Sequence, residues 1–279
     1  MKFDKKIDFA VLLSVTNANP NGDPLNGNRP RTDYKGFGEM SDVCIKRKIR
    51  NRMQDMGHNI FVQSDDRRSD DCISLKERAK ELKTIKTPDE FARTACSKWL
   101  DVRTFGQVFG FDKKEFACAS VGVRGPVSVH QAVSVNPVDA YSMQITKSVS
   151  GERKSEADRG SDTMGMKHFV RFGLYQVKGS INVQLAEKTG FSREDALVVK
   201  EALRTLFVND ASAARPDGSM EVVRVYWWEH NCKDGQYSSA KVHRLLKVTP
   251  KVDAPASAED YDIQLDELPG LACEVIEGM

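Results

Sequence analysis

The sequence lacks the long apolar run that a membrane-spanning helix requires. In 279 residues, no stretch approaches the roughly 18 uncharged apolar residues of such a helix. The N-terminal segment MKFDKKIDFAVLLSV is too short and too acidic for a secretory signal peptide. The six cysteines form no CxxC pair, which favours reduced core thiols over disulfides or a zinc site. We therefore expect a soluble cytoplasmic protein of one elaborated domain, residues 1–279.

Enzyme signatures are missing as well. The sequence contains no GxGxxG, P-loop, HExxH or GxSxG motif. His230 and Cys232 together supply too few ligands for a structural zinc site, and the other histidines stand alone. No cofactor or metal is predicted, and a binding protein is favoured over an enzyme.

Charge is distributed unevenly along the chain. The formal net charge is +2, but the segment after Lys251 contains eight acidic residues and no Lys or Arg. Removing those eight negative charges leaves residues 1–251 with a formal charge of +10. A basic body followed by an acidic segment, here residues 249–279, is typical of proteins that meet a polyanion. A solvated surface with a disordered tail explains the charge alone equally well.

Hydrophobic periodicity gives the order of the secondary-structure elements. Alternating apolar residues predict four strands, at residues 7–15, 117–135, 177–185 and 222–228. Apolar residues at helical spacing behind a capping serine predict two helices, from Ser41 to about Met56 and from Ser192 to about Phe207. The order strand, helix, strand, strand, helix, strand is that of ferredoxin-like and RNA-recognition (RRM) folds. We therefore predict an α+β, RRM-like (ferredoxin-like) fold.

Two segments interrupt this order. Residues 57–116 are charged, balanced in sign and helical in pattern at 74–85 and 87–100, which predicts a helical insertion. Residues 144–167 contain glycine, serine and charges of both signs but few apolar side chains. Because such a segment cannot form a core of its own, we predict a projecting hairpin or a mobile loop.

The clearest candidate binding surface lies between Asn26 and Met53. The predicted helix carries five basic residues around its apolar stripe, which are Lys46, Arg47, Lys48, Arg50 and Arg52. Like charges four residues apart repel each other by a few tenths of a kcal/mol unless an anion lies between them. The preceding loop offers backbone N–H groups and two guanidinium groups to phosphate oxygens, through Gly27, Arg29 and Arg31. A solvated basic face is the alternative interpretation.

The basic-Gly-aromatic-Gly-aromatic signature with which RRM proteins stack bases is missing. The aromatic clusters at 169–172 and 226–228 are expected to be core or subunit contacts. Contacts to a nucleic-acid backbone should therefore dominate over base stacking. In the first loop, Asp23 and Asp33 could help to activate a ribose 2′-OH, but binding turn amides is the simpler role.

Four segments stand out together: NPNGDPLNGNRPRTD (19–33), SDVCIKRKIRNRM (41–53), DVRTFGQVF (101–109) and VGVRGPVSVHQA (121–132). They resemble the type I-C CRISPR Cascade backbone subunit, a Cas-seven family protein. The resemblance covers most of the chain and is weakest after about Leu246.

This resemblance implies an RRM-like palm, a helical fingers insertion at 57–116 and an extended thumb hairpin at 144–167. Copies of the chain would form a head-to-tail helical filament along one CRISPR RNA, each thumb folding over the RNA of its neighbour and flipping out one nucleotide. The implied partners are CRISPR RNA, a target DNA strand that pairs with the guide, further copies of the chain and other Cascade subunits, all in antiviral defence.

The resemblance also implies which residues touch RNA. The matching positions are Gly27, Arg29 and Arg31 in the palm loop, Lys46, Arg47 and Arg50 in the helix, and Arg124 and Gly125 at a strand edge near the guide. Two enzymatic alternatives stay open. One is a backbone subunit that cleaves target RNA through Asp23 or Asp33, and the other is a guide-processing endoribonuclease that uses a histidine.

Overall fold

The computed structural model describes residues 1–112, 114–118, 120–146 and 164–279. The strands of these residues are β1 (Ile7–Ala18), β2 (Gly22–Asp23), β3 (Arg29–Pro30), β4 (Phe37–Met40), β5 (Gly106–Gly110), β6 (Ser120–Arg124), β7 (Val127–Val129), β8 (Ala132–Pro137), β9 (Ala140–Thr146), β10 (Met164–Ile181), β11 (Met220–Glu229), β12 (Leu246–Pro250), β13 (Tyr261–Leu265) and β14 (Cys273–Glu277). The helices are α1 (Asp42–Asp55), α2 (Leu75–Arg78), α3 (Pro88–Lys98), α4 (Leu100–Phe105), α5 (Val183–Thr189), α6 (Arg193–Arg204) and α7 (Ser239–His243). Among these described helices, none has the length and apolar content needed to cross a membrane.

A large antiparallel sheet organises the fold. Its strands follow the order β14-β11-β1-β10-β8-β4, and β7 and β9 pair with other stretches of β10. Strand β1 lies between its two long neighbours, so that Ile7 is opposite both Ile181 of β10 and Glu229 of β11. The predicted combination of helices with a large antiparallel sheet is confirmed.

The alternation of β1 separates two hydrophobic layers. Phe9, Val11 and Leu13 are buried in one core with the apolar stripes of α1 and α6. Ala10 and Leu12 face the other side and are buried with residues of α7, β12 and β13. The acidic C-terminal segment therefore covers the face of the sheet opposite α1 and α6, and its last strand, β14, extends the sheet itself.

The two predicted helices behind capping serines are confirmed. The Ser41 hydroxyl accepts the N–H of Cys44 at 3.2 Å, and α1 then runs to Asp55. Ser192 and Asp195 form a reciprocal capping box at the start of α6. Each box or cap satisfies backbone N–H groups that a helix start leaves without partners.

Two strand predictions were wrong in extent. The stretch 117–135 is not one strand, because β6 pairs with β5 while β7 and β8 pair with β10. The chain changes sheets at Gly125, where an added Cβ would lie 2.3 Å from the backbone of Phe105. The strand predicted at 177–185 is only the end of β10, since the Asn182 side chain caps α5.

The insertion has its own hydrophobic core. Phe61, Phe91, Trp99 and Phe109 are buried in this cluster, which also includes Val121 of β6. Helix α3 occupies most of the predicted 87–100 segment, but the predicted helix at 74–85 is only the short α2 followed by a 3₁₀ turn. Because β6 pairs with β5, the packed unit extends past residue 116 to the end of β6.

Of the hairpin predicted at 144–167, residues 147–163 lie outside the described residues. The flanking strands β9 and β10 pair in antiparallel register from Ala140 opposite Val170 to Thr146 opposite Met164.

Candidate nucleic-acid interface

The structure distributes the basic residues of α1 over different surfaces. Arg47 points outward, with 64% of its side chain exposed. Lys48 is inward, with 5% of its side chain exposed, and Arg52 is bound through its Nε to the Thr205 hydroxyl of the segment after α6, at 2.7 Å. The five basic residues predicted around the apolar stripe therefore differ in burial and do not form one exposed surface.

On the flank of α1 that faces the insertion, the cations have carboxylate partners. Lys46 Nζ lies 3.0 Å from Asp42 one turn earlier. Arg50 donates from Nε to Asp101 of α4 at 3.1 Å, and its guanidinium lies 5.0 Å from the Phe105 ring centroid. Only 13% of the Arg50 side chain is exposed. The predicted RNA contact through Arg50 does not fit this geometry, because its charge is already used inside the protein.

Asp101 explains why Arg50 is fixed. Its carboxylate is 1% exposed and also accepts the backbone N–H groups of Phe61 and Val62, at 2.7 and 3.0 Å. A buried carboxylate needs such partners, so Arg50 joins helix α1 to the insertion.

The opposite flank of α1 borders a cleft of about 870 Å³. Its other walls are the loop at residues 20–22, the start of the insertion at 66–69 and the loop at 209–215. Two of its basic side chains, Arg67 and Arg215, were not among the predicted site residues. Each stands in a stretch without periodicity or motif, so the sequence carried no signal that would place it beside α1.

Lys48 and Arg215 meet at the floor of this cleft. Lys48 forms a close ion pair with Asp210 and lies 5.4 Å from the Phe207 ring centroid. Arg215 Nε lies 3.4 Å from the same Asp210 oxygen. Burial lowers the pKa of Lys48 below its ordinary value, and this effect outweighs the attraction of Asp210.

Arg67 joins three walls of the cleft. It lies 2.7 Å from Asp55 at the end of α1 and donates to the carbonyl oxygen of Asn209. Its own carbonyl oxygen accepts a hydrogen bond from Gln54 at 2.6 Å. The width of the cleft is therefore set by contacts among α1, the insertion and the 209–215 loop.

The predicted palm loop contains a tight turn held by backbone hydrogen bonds. Gly27 and Asn28 both have left-handed backbone angles, φ 58° and 60°, a conformation that glycine and asparagine tolerate best. The Asn28 N–H donates to the Asp23 carbonyl oxygen at 2.8 Å. Arg29 is exposed and forms no ion pair with a described residue, whereas Arg31 lies 3.4 Å from Asp23. The same loop borders the cleft at Gly22 and a smaller cavity of about 160 Å³ at Gly27.

Both loop aspartates bind turn amides. Asp23 accepts the N–H of Leu25 at 3.2 Å, and Asp33 accepts those of Lys35 and Phe37 at 2.8 and 2.9 Å. The simpler of the two predicted roles is confirmed, and the catalytic alternative gains no support from this arrangement.

The predicted strand-edge pair divides into two roles. Arg124 is exposed at the end of β6 and forms no ion pair with a described residue. Gly125 has no space for a side chain, because an added Cβ would also lie 2.4 Å from the Gly106 nitrogen. Close packing of two backbones accounts for this glycine.

The remaining candidate groups are structural. His230 is buried, with Nε2 2.8 Å from Asp8 and Nδ1 accepting the Gln236 N–H at 3.0 Å, while Cys232 is exposed. Within the described ranges, no group of three or more His, Cys, Asp or Glu side chains is placed to hold a metal ion. The aromatic residues at 226–228 are buried, so their predicted core role is confirmed.

Comparison with known proteins supports the resemblance at the level of the family and does not distinguish the subtype. A curated relative, the CRISPR-associated protein Cas7 of Haloferax volcanii, is 28% identical over 210 residues, which are 67% of this chain and 60% of that protein. The chain thus spans less than two thirds of that relative.

Two solved structures are similar at 18% identity and 80% coverage of this chain. A "CRISPR RNA-guided surveillance complex, pre-nicking" chain has a TM-score of 0.49 with 78% of its own length covered. A "CRISPR RNA-guided surveillance complex" chain has a TM-score of 0.45 with 68% covered. Similarity at this level does not bear on function.

The match to a family model is more extensive. The model described as CRISPR-associated protein Cas7 matches residues 5–266, which is nearly the whole chain, and the chain therefore belongs to the Cas7 family.

Proposed function

We propose that the chain is the CRISPR RNA-binding backbone subunit of a type I-C Cascade surveillance complex. The observation that carries the proposal is the cleft along α1, which is lined by three arginines and a lysine against three aspartates, and by no aromatic side chain among the described residues. A surface of this kind holds a phosphate backbone and is indifferent to base sequence. A guide RNA requires both properties, because its bases must remain free to pair.

The order of the strands supports an RRM-like palm. If β1, β8, β10 and β11 are taken as the four strands of a ferredoxin-like unit, they lie in the sheet in the order fourth, first, third, second. Helices α1 and α6 fall at the two crossover positions and pack on the same face. In this proposal the opposite face does not bind RNA, because the C-terminal segment covers it.

The proposed RNA path follows the cations of the cleft and of the adjoining loop, of which Arg47 is exposed while Arg67 and Arg215 are partly buried. Arg47, Arg67 and Arg215 line the cleft, and the Gly27 loop continues its wall toward Arg29 and Arg31. Lys46 and Arg124 lie outside the cleft lining, so the RNA contacts predicted for them are not part of this path. Arg50 and Gly125 support the fold rather than the RNA.

The partners follow from the family. Copies of the chain would associate head to tail along the guide, present it to a target DNA strand and bind other Cascade subunits. The role is that of a non-enzymatic scaffold in the cytoplasm. Within the described residues, the two loop aspartates and His230 are all occupied by internal hydrogen bonds, which favours the scaffold over the endoribonuclease alternatives.

Two measurements test the proposal. The purified protein should bind single-stranded RNAs of unrelated sequence with similar affinity, and its assembly size should increase in steps with RNA length. Labelled guide RNA and complementary target RNA, incubated with the assembly and Mg²⁺, should remain intact. A protein that stays monomeric on long RNA, or regularly spaced cuts, would overturn the scaffold.

A further inference from the structure

We infer that the cleft floor contains a phosphate subsite in which Arg215 is the contacting residue and Asp210 is an internal counter-ion that the phosphate displaces. The buried Lys48 forms an ion pair with Asp210 on the side away from the cleft opening. The inference rests on the proposed function only for the identity of its ligand, an RNA phosphodiester.

The charges of the cleft locate the subsite. Among its described lining residues, the cations are Arg47, Lys48, Arg67 and Arg215, and the anions are Asp55, Asp66 and Asp210. Arg67 is paired with Asp55, and Arg47 lies 3.9 Å from Asp66. Lys48 and Arg215 share Asp210. The uncompensated positive charge of the cleft is therefore at Lys48 and Arg215.

Geometry separates the roles of the two cations. Lys48 lies close to Asp210 and is almost fully buried, so it cannot reach a ligand. Arg215 is more distant from that oxygen, and its Nε has no hydrogen-bond partner among the described residues. With 28% of its side chain exposed, Arg215 is the cation that can turn from Asp210 to an incoming anion.

The chemistry of the site fits phosphate. A guanidinium offers two parallel N–H groups to phosphate oxygens, and a charge-assisted hydrogen bond is strongest where water is partly excluded. The neighbouring Ser212 also lines the cleft, and its backbone is tied to Arg215 by reciprocal hydrogen bonds of 2.8 and 3.0 Å. The turn therefore presents a hydroxyl and a guanidinium on one short, fixed segment.

Asp210 makes the subsite unusual, since a carboxylate beside a phosphate site opposes binding. Its removal should free Arg215 to face the ligand and should take away the negative charge that opposes binding. Tighter anion binding after loss of Asp210 is therefore the distinguishing expectation, and a merely structural ion pair would not produce it.

The experiment uses tripolyphosphate and a labelled single-stranded RNA with the full-length protein. Arg215→Gln should weaken the binding of both probes about tenfold, the loss expected for one charge-assisted contact, and Arg215→Lys should restore part of it. Arg244→Gln is the matched control, because Arg244 is exposed at the end of α7, does not line the cleft and forms no ion pair with a described residue. Equal binding by Arg215→Gln and the control would overturn the subsite.

Asp210→Asn tests the displaced counter-ion. This variant should bind tripolyphosphate severalfold more tightly, and the probe should raise its Tm more than that of the unsubstituted protein. Because the change leaves Lys48 buried without a carboxylate, the double variant Lys48→Met/Asp210→Asn provides the same test if the single variant does not fold. Unchanged or weaker binding in the folded variant would overturn the role of Asp210.

The two probes separate this inference from the proposed function. If Arg215→Gln lowers tripolyphosphate affinity but not RNA affinity, the subsite stands and the RNA path through the cleft fails. If RNA binds normally while neither probe responds to Arg215, the RNA proposal stands and the subsite fails.

Discussion

Arg47 and Arg50 stand three residues apart on α1, and both were predicted to contact RNA. Arg47 is exposed at the cleft. It lies 3.9 Å from the carboxylate of Asp66, whose side chain is also exposed. Arg50 is closed in against Asp101 and Phe105 on the flank that faces the insertion. The same residue type on the same helix is thus exposed at the cleft in one case and paired with a buried carboxylate in the other, and only the exposed arginine keeps its proposed RNA contact.

The difference teaches that the partner of a cation, and not its helical position, decides its role. Repulsion between cations four residues apart predicted an external anion between them. In the structure, Arg50 and Lys48 are neutralised from within, by Asp101 and Asp210, which are distant in sequence. In the cleft, Arg47 is loosely paired, with Asp66 at 3.9 Å, and Arg215 shares Asp210 with Lys48, so these two arginines are the cations that an external anion would meet.

The largest effect is expected on the insertion flank. Arg50→Ala leaves the buried Asp101 carboxylate without its cation, which should lower the free energy of unfolding by about 3–5 kcal/mol. Urea denaturation of the variant measures the loss, and RNA affinity per folded molecule should stay unchanged. The double variant Arg50→Met/Asp101→Asn is the control and should recover part of the stability, because it removes the buried charge but its amide can accept only one of the two backbone N–H groups. A strong loss of RNA affinity in folded Arg50→Ala would contradict the structural role of Arg50 and the contrast with Arg47.

The close backbone packing at Gly125 can be tested by adding a methyl group there. An added Cβ would meet the backbone of Phe105 and Gly106 at distances that no real contact adopts, so Gly125→Ala should destabilise by about 1–3 kcal/mol through overpacking. Gly110→Ala is the matched control, because nothing lies within 4 Å of its added Cβ. Equal unfolding midpoints for the two variants in urea would argue against a packing role.

Sequence reasoning reached the helices and the sheet because local patterns determine them. Ser41 and Ser192 cap helices through bonds within their own turns, and β1 alternates between two apolar cores. The cleft could not be predicted, because no local sequence pattern determines it. Arg67 and Arg215 come to α1 through contacts with Asp55 and Asp210, which depend on how three separate segments pack.

On the cleft flank, Arg47→Ala should affect binding and leave stability nearly unchanged. An exposed ion pair of this length contributes at most about 1 kcal/mol, so the unfolding midpoint should hardly move. RNA affinity should fall by a similar factor for all sequences, and the dependence of log affinity on log salt concentration should lose roughly 0.7 in slope for the lost phosphate contact. Fluorescence anisotropy at several salt concentrations measures both. A sequence-dependent loss with an unchanged slope would contradict a backbone contact.

The smallest expected effect is a difference between Lys48 and Arg50 in how each contributes to stability as the pH changes. Burial lowers the pKa of Lys48 below its ordinary 10.5, so in the interval between the lowered value and 10.5 the unfolded chain binds more protons than the folded one. Stability therefore rises with pH in that interval, relative to Lys48→Met, which has no proton to lose. Arginine does not titrate there, so the difference in the free energy of unfolding between the unsubstituted protein and Arg50→Met should stay constant over the same interval.

Urea unfolding from pH 8 upward, by about half a unit per step, measures both differences in the free energy of unfolding. A constant difference for Lys48→Met would mean that Asp210 holds the Lys48 charge as firmly as Asp101 holds that of Arg50, and the contrast between the two flanks would then rest on exposure alone.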